Sequence, residues 1–281
     1  MMKLTTTQPL PTETIITGYN EAVRYFKNRK RFHLGFKLLT PPTGNTKLNK
    51  SSLPTYGLSL APAASSGYQV CPSRSAECEA ACLGINSGRS KMTCVKQARI
   101  RKTHLLAQEP EVFFSTLFYE LGLCNTRHGS GQWAFRSNVI SDINWFDIAP
   151  VIYTFGSINY DYTKRPDLMA AVNTNVDVDF LGNPTCNKQY PQLHLTFSYS
   201  GWNLEHCLRF LGEKKNVSVV CSNHEEVLKL GYFVFPNDPN QTKFNVINGD
   251  LSDERFRDPQ GSIVLLSPKG KVKDSKFIVK M

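Results

Sequence analysis

The sequence predicts an α/β protein: a parallel β/α barrel or partial barrel with an N-terminal extension and a β-rich C-terminal end. Three observations predict this fold class. From Tyr56 onward, short apolar runs end in polar residues and are followed by helical segments, which is the pattern of repeated β/α units. Towards the C-terminus, strand-like runs follow one another without helices between them. The chain has 281 residues, 41% of them hydrophobic, which is enough for one large core.

The predicted extension covers residues 1–54, and the barrel-like domain covers residues 55–281. The extension mixes Thr, Pro and Asn without a sustained period. Its basic and aromatic stretch has two interpretations: the cations hold phosphates while the rings stack on bases, or the rings pin a short helix to the core and the cations face water. The cations concerned are Arg29, Lys30 and Arg31.

The first half of the domain predicts strands that alternate with helices. One helix should stop just before Pro110, because the residue before a proline disfavours helical backbone. Another is predicted although Pro150 lies inside it. The predicted strands are 56–61, 133–136 and 158–162, and the predicted helices are 91–108, 112–123 and 145–155.

In the second half of the domain, predicted strands and helices alternate at first, and then strands follow one another without helices. Residues 193–198 alternate in polarity and are rich in β-formers, and β-branched residues dominate 217–221. This succession predicts a parallel sheet that is closed or partly closed. Helices are predicted at 204–211 and 225–230, and later strands at 233–235, 244–247 and 263–266.

Composition and charge limit the classes of function. The mean hydropathy is -0.31, and no apolar run approaches the roughly 20 residues of a spanning helix, so we expect a soluble protein and no membrane partner. The N-terminus shows no secretion signal. A net charge of +10 favours polyanions, nucleic acid above all, although a solvated basic surface is the alternative.

Three cysteines form the sharpest local signal: Cys71, Cys78 and Cys82, directly after the first predicted strand. In a chain without a secretion signal, clustered cysteines are expected to be reduced and to act as metal ligands or reactive thiols. If residues 77–83 are helical, Cys78 and Cys82 share one face, and the preceding loop can fold Cys71 towards them. The spacing therefore predicts a three-cysteine metal site.

The expected cofactor is an iron–sulfur cluster, with zinc as the alternative, because soft thiolates select these two. A closed zinc site would need Cys94 or Cys124 as a fourth ligand. Three thiolates at the mouth of a β/α barrel resemble the cluster site of radical-SAM enzymes, but the spacing differs from that family's and no glycine-rich SAM-binding stretch follows. The competing interpretation is that Cys78 and Cys82 are small buried residues of a helix interface.

Polar residues that end the predicted strands are candidates for acid–base chemistry, since catalytic groups of β/α barrels lie at the carboxyl ends of strands. Taken singly, each Asp is more often a turn residue or a helix cap. If the barrel prediction holds, the three cysteines and three of these carboxylates should meet at one mouth. The candidates are Asp142, Asp161, Lys164 and Asp250.

A basic helix follows the cysteines and predicts a phosphate-binding face. Lys96, Arg99 and Lys102 recur at intervals of three, so part of this charge shares one side of the helix. Arg136, at the end of a predicted strand, is a further candidate contact with nucleic acid. A merely solvated helix face is the alternative.

These residues together resemble a phage-encoded family of uncharacterised function, the gene-product-eighty-eight-like proteins. The resemblance implies a phage protein in the cytoplasm of the infected bacterial host. Where the family suggests Gly and Thr, this chain has Val139 and Ile140, which implies a smaller pocket or a stiffer loop. The matching segments are 58–62, 71–82, 96–103, 141–143, 160–164, 194–198 and several positions of 247–271.

Two hypotheses of function follow. In the first, a metal-containing phage enzyme acts on nucleic acid or a nucleotide. In the second, a non-catalytic protein binds nucleic acid or blocks a host protein, and its cysteines are structural. No phosphate loop, HExxH or GxSxG motif occurs, which argues against standard NTPases, zincins and α/β-hydrolases.

Overall fold

The structure is a computed structural model that describes residues 37–44, 48, 51–86, 88–172, 177–178, 184–185, 193–269 and 277–281. Arg29, Lys30 and Arg31 lie outside the described residues, so their binding of nucleic acid stays a prediction. None of the helices in the described ranges is long and apolar enough to cross a membrane.

The described residues form twelve strands: β1 (Leu39–Thr40), β2 (Thr55–Leu58), β3 (Ala134–Arg136), β4 (Ile158–Thr163), β5 (Asp177–Val178), β6 (Pro184–Thr185), β7 (Leu193–Ser198), β8 (Val217–Cys221), β9 (Tyr232–Phe233), β10 (Phe244–Asn248), β11 (Ile263–Leu266) and β12 (Ile278–Val279). Ten of them form one mixed sheet in the order β1-β2-β3-β4-β7-β8-β11-β10-β9, with β12 beside β8. Within this described sheet, only the pairs β1–β2 and β9–β10 are antiparallel. β5 and β6 form a separate antiparallel pair.

The predicted α/β class and the parallel sheet are confirmed, but the described sheet is open. Its edge strands, β1 and β9, do not pair with each other among the described residues. β10 and β11 are parallel neighbours in the sheet. The segment between them must therefore cross one face of the sheet to connect the end of β10 with the start of β11. That connection covers one face of the sheet, where Phe256 packs against Tyr160 of β4 and His194 of β7.

The helices follow the predicted ones with three local differences. Pro150, which lacks a backbone N–H, begins a separate short 3-10 helix after Ile148 and so divides the predicted helix 145–155. Pro110 is the first residue of its helix, where its missing N–H costs nothing. The helix considered for residues 77–83 is also divided, because one helix ends at Ala80 and the next begins at Leu83. The helices are α1 (Ala76–Ala80), α2 (Leu83–Asn86), α3 (Thr93–Gln108), α4 (Pro110–His128), α5 (Trp145–Ile148), α6 (Pro166–Ala171), α7 (Leu204–Gly212) and α8 (His224–Leu230).

Two carboxylates, the half-buried Glu120 and the buried Glu254, tie the end of the predicted extension to the main body. Glu120 of α4 accepts hydrogen bonds from the backbone N–H groups of Leu38 and Leu39, at 2.9 and 2.7 Å. Glu254 accepts hydrogen bonds from the backbone N–H groups of Ser52 and Leu53, at 2.6 and 3.1 Å. Residues 37–54 are thus held on the main body where the structure describes them, and β1 extends its sheet.

Candidate functional site

A cavity of about 940 Å³ opens where the parallel strands end. Several side chains that line it follow the end of a strand by one to six residues or are its last residue. The carboxyl ends of adjacent parallel strands meet at one edge of a sheet, which explains why residues so distant in sequence share one cavity. These lining residues are Ser59 after β2, Asn138 and Asp142 after β3, Lys164 after β4, Ser198 of β7, Asp250 after β10 and Ser267 after β11.

Cys71, Cys78 and Cys82 line this cavity, as does the more exposed Cys94. The Ser75 side chain caps α1 by accepting a hydrogen bond from the backbone N–H of Cys78 at 3.1 Å. The Cys71 thiol lies 3.5 Å from the carbonyl oxygen of Ile140. The cysteines therefore approach the cavity from a loop, a helix and a turn.

The prediction that Cys78 and Cys82 lie on one helix is wrong in detail. α1 ends at Ala80, and the Asn86 side chain donates a 2.7 Å hydrogen bond to the Ala80 carbonyl that the helix end leaves free. Cys82 instead precedes α2, and its carbonyl accepts hydrogen bonds from the N–H groups of Ile85 and Asn86. Both thiols still line the same cavity.

Burial raises the pKa of the Cys71 thiol to about 12, and it also raises the pKa of Cys82. Lys164 lies beside these sulfurs. Burial disfavours its charge, but the nearby Cys78 and Cys71 sulfurs and the Asp142 carboxylate together outweigh burial, so its pKa is raised. Lys164 therefore places a positive charge next to the cysteines.

The described side chains contain no group of three or more His, Cys, Asp or Glu that could hold a single metal ion. Sulfurs around one tetrahedral zinc stand roughly 3.8 Å apart, given Zn–S bonds of about 2.3 Å. The cysteines of an iron–sulfur cluster bind different irons and do not converge on one point. The three cysteine sulfurs that line the cavity are soft donors, the type that both iron–sulfur clusters and zinc take.

Asp142 and Asp250 lie on the cavity wall and are both held by hydrogen bonds. Asp142 accepts from the Thr163 hydroxyl at 2.7 Å and from the Lys164 backbone N–H at 2.9 Å, and burial raises its pKa. Burial also acts on Asp250, but hydrogen bonds from Ser267 and the nearby Lys269, 3.1 Å away, lower its pKa overall. The pair offers two carboxylates in contrasting environments.

Asp161 is placed differently from the other candidates. It lies under the cavity, only 2% exposed, and is not part of the cavity wall. Its carboxylate accepts hydrogen bonds from the Ser137 hydroxyl and from the backbone N–H of Asn138 at 2.9 and 3.0 Å. The geometry shows Asp161 holding the chain after β3 in position, and its contact with a substrate stays a prediction.

Arg136 is also less available than the sequence suggests. Its guanidinium lies 3.1 Å from Asp253 and 3.6 Å from Asp161, and it stacks over the Tyr162 ring. The Tyr160 hydroxyl donates a further 3.0 Å hydrogen bond to Asp253. The charge of Arg136 is therefore compensated inside the protein, although its side chain also lines the cavity, and its contact with nucleic acid stays a prediction.

The basic helix α3 divides its cations between two sides. Lys102 is 7% exposed, donates a 2.6 Å hydrogen bond to the Leu38 carbonyl and lies at the cavity wall, and its contact with phosphates stays a prediction. Arg99 lines the cavity and donates to the Gly84 carbonyl at 2.9 Å. Lys96 is exposed on the outside.

Val139 and Ile140 line the cavity and pack against two glycines. A Cβ on Gly57 would lie 2.6 Å from the Val139 side chain, and one on Gly84 would lie 2.1 Å from the Ile140 side chain. Val139 and Ile140 therefore occupy space that is free only because positions 57 and 84 are glycines without a Cβ.

Two residues were missed by sequence reasoning as parts of this region. Asp253 follows β10 by five positions and lies 117 residues from Arg136, so no local pattern connects them. Trp202 is 62% exposed and lies in the turn after β7. In the sequence, the signal that could have identified Trp202 is an isolated tryptophan next to Gly201 in a predicted turn.

The pH dependence of stability tests the placement of Asp161. Burial raises its pKa to about 7, against the opposing effects of Arg136 and the hydrogen bonds. An acid with a raised pKa in the folded state binds its proton more tightly when folded, so its contribution favours folding at low pH and is lost as the pH rises towards 7. We expect Asp161→Asn to remove this loss, at most about 1.4 kcal/mol per pH unit.

Urea unfolding at pH 5.5, 6.5 and 7.5 measures this slope. The unfolding free energy of the unmodified protein should fall relative to that of Asp161→Asn across the series. Parallel curves for the two proteins would show that Asp161 is ionised over the whole range and would contradict the prediction.

Comparison with known proteins identifies one family. The family model described as Gene product 88 matches residues 36–281, which agrees with the resemblance seen in the sequence motifs. No curated protein and no solved structure matches the chain.

Proposed function

The chain belongs to the Gene product 88 family, and we propose that it is a phage protein of the host cytoplasm that holds an iron–sulfur cluster and acts on nucleic acid or a nucleotide. Cys71, Cys78 and Cys82 would hold the cluster. One observation carries the proposal: these three cysteines line a single cavity at the carboxyl edge of the parallel sheet, together with Lys164 and Asp142. Elsewhere in the described chain, Cys124, Cys207 and Cys221 are buried in the core.

The neighbours of the cysteines suit such a cofactor. Three thiolates carry a large negative charge, and the Lys164 ammonium beside Cys78 would partly balance it. When bound through three cysteines, a four-iron cluster supplies electron transfer and one iron without a protein thiolate. Asp142 and Asp250, on the same wall, are the candidate proton-handling groups.

The arginine and lysine side chains that line the cavity favour an anionic ligand. Neither Arg89 nor Arg99 forms an ion pair with a carboxylate in the described part of the chain; each donates to a backbone carbonyl, which leaves its positive charge uncancelled. Phosphate groups match such a site. The cavity is lined by seven cations and four acids. Four of the cations lie against an acid, namely Arg74 with Glu79, Arg136 with Asp253, Lys269 with Asp250 and Lys164 with Asp142. The other three cations are Arg89, Arg99 and Lys102.

Anaerobic purification tests the proposed cofactor. We expect a brown protein with roughly four iron atoms and four acid-labile sulfides per chain and a broad sulfur-to-iron absorption that disappears on reduction or exposure to air. Iron and sulfide analysis with the visible spectrum measures this. A colourless, folded protein without iron after reconstitution with ferrous iron and sulfide would contradict the proposal, and stoichiometric zinc would favour the alternative metal.

A second candidate function is non-catalytic binding of nucleic acid or of a host protein, with structural cysteines. The observation that favours it is the exposed outer side of the α3 region, where Lys91, Lys96 and Arg101 face solvent. Such binding would weaken steeply with salt, because each neutralised phosphate releases counterions. It would also persist without any metal, which separates it from the first proposal.

A further inference from the structure

A second cavity, of about 420 Å³, adjoins the first. Tyr199 and Ile278 line both cavities, so the two share a wall. Three aromatic and several apolar side chains line the second cavity, together with the polar side chains of Asn237 and Lys280. Its other lining residues include Trp202, Leu204, Phe235, Asn237 and Lys280.

The floor of this second cavity is formed by packed rings. Tyr199 and Phe235 are 8% and 1% exposed, and their ring centroids lie 5.4 Å apart. Asn237 and Lys280 are exposed beside this floor. An aromatic floor with an amide and an ammonium at the rim suits a flat ring that carries hydrogen-bonding edges.

Trp202 completes the cavity from the solvent side. It is 62% exposed, whereas Trp133 and Trp145 are fully buried. The Trp202 indole N–H donates a 3.0 Å hydrogen bond to Glu77, the neighbour of Cys78 on α1. This contact holds an exposed ring at the junction between the aromatic cavity and the cysteine wall.

We infer that the aromatic cavity binds the base of a nucleotide whose phosphates occupy the cationic cavity. The inference rests on the proposed function and names its substrate class: a unit of base, sugar and phosphate, either free or within a strand. The base would stack on Trp202, and the shared wall at Tyr199 would let its phosphates reach Arg99. Stacking on exposed aromatic rings accepts any base, because every base has a flat face.

Tryptophan fluorescence tests the inference directly, since Trp202 is the exposed one of the three tryptophans. We expect ATP and a short oligodeoxynucleotide to quench the emission, and inorganic tripolyphosphate to bind without quenching. Trp202→Ala should weaken nucleotide binding between about 5-fold and 150-fold, the range measured for loss of one base stack, and leave tripolyphosphate binding unchanged. Calorimetry measures both affinities.

Leu123→Ala is the matched control, because Leu123 is 49% exposed on α4 and lines neither cavity. Its nucleotide affinity should equal that of the unmodified protein. Equal binding of ATP and tripolyphosphate, with no effect of Trp202→Ala, would overturn the base site and leave the phosphate site intact. Absence of binding by ATP, the oligonucleotide and tripolyphosphate would overturn the proposed function itself. Quenching by ATP alone would assign the site to free nucleotides, and quenching by the oligonucleotide alone would assign it to a strand.

Discussion

Replacement of Asp253 by asparagine is expected to lower the free energy of unfolding by about 3–5 kcal/mol, because it leaves the buried Arg136 charge without its nearest partner. The two groups lie 3.1 Å apart, and their side chains are 10% and 2% exposed. Burial opposes the charge of Arg136, but Asp253 together with Tyr160, Asp161 and Tyr162 outweighs burial and raises its pKa, so the guanidinium stays charged in the folded protein. Asp161, 3.6 Å from Arg136, compensates the lost carboxylate only in part. Urea unfolding monitored by circular dichroism measures the change.

Asp167→Asn is the control for this prediction. Asp167 also pairs with an arginine, Arg165, but its side chain is 61% exposed, and exposed pairs contribute about 0–1 kcal/mol. The double variant Arg136→Met, Asp253→Leu should be less destabilised than Asp253→Asn, since it removes both charges. Equal, small effects of Asp253→Asn and Asp167→Asn would contradict a buried ion pair that holds the segment after β10 against β3.

Cys78→Ser is expected to reduce the iron content of anaerobically purified protein at least tenfold. A serine hydroxyl is a hard, weakly acidic ligand, and a cluster with two remaining thiolates would be lost. Because metal binding and local folding are coupled, α1 should also become more accessible to protease. Iron analysis and limited proteolysis measure the two effects.

Cys124→Ser serves as the control, because Cys124 is buried in α4 and does not line the cavity. It should retain its iron and lose only stability. Full iron content in Cys78→Ser would show that Cys78 is not a cluster ligand. If the unmodified protein contains no iron and Cys78→Ser binds nucleic acid as well as the unmodified protein does, the cysteines are structural. Either result would favour the second candidate function.

The strands that the sequence predicts best are those with continuous apolar or β-branched residues. Residues 193–198, 217–221 and 263–266 are strands with the predicted limits, because such runs have few other ways to bury their side chains. The helix 145–155 was overestimated, since its hydrophobic pattern continues through Pro150 although its backbone hydrogen bonds cannot. The described sheet is open because its edge strands β1 and β9 do not pair with each other, and no local pattern encodes which strands lie at the edges.

The location of the candidate site was predictable because it depends on chain order. Residues that follow parallel strands meet at one edge of the sheet, which is why Cys71, Asp142 and Asp250 share a cavity. The availability of each side chain was not predictable. Whether Lys102 faces water depends on the Leu38 carbonyl, a contact between residues 64 positions apart.

The central claim is that Cys71, Cys78 and Cys82 hold an iron–sulfur cluster in the cavity at the end of the parallel strands. Diffraction from anaerobically grown crystals, recorded on both sides of the iron absorption edge, tests it most directly. The account predicts an anomalous iron peak within bonding distance of all three sulfurs, facing Lys164. Iron at another site, or three unliganded thiols in crystals of protein reconstituted with iron and sulfide, would contradict it.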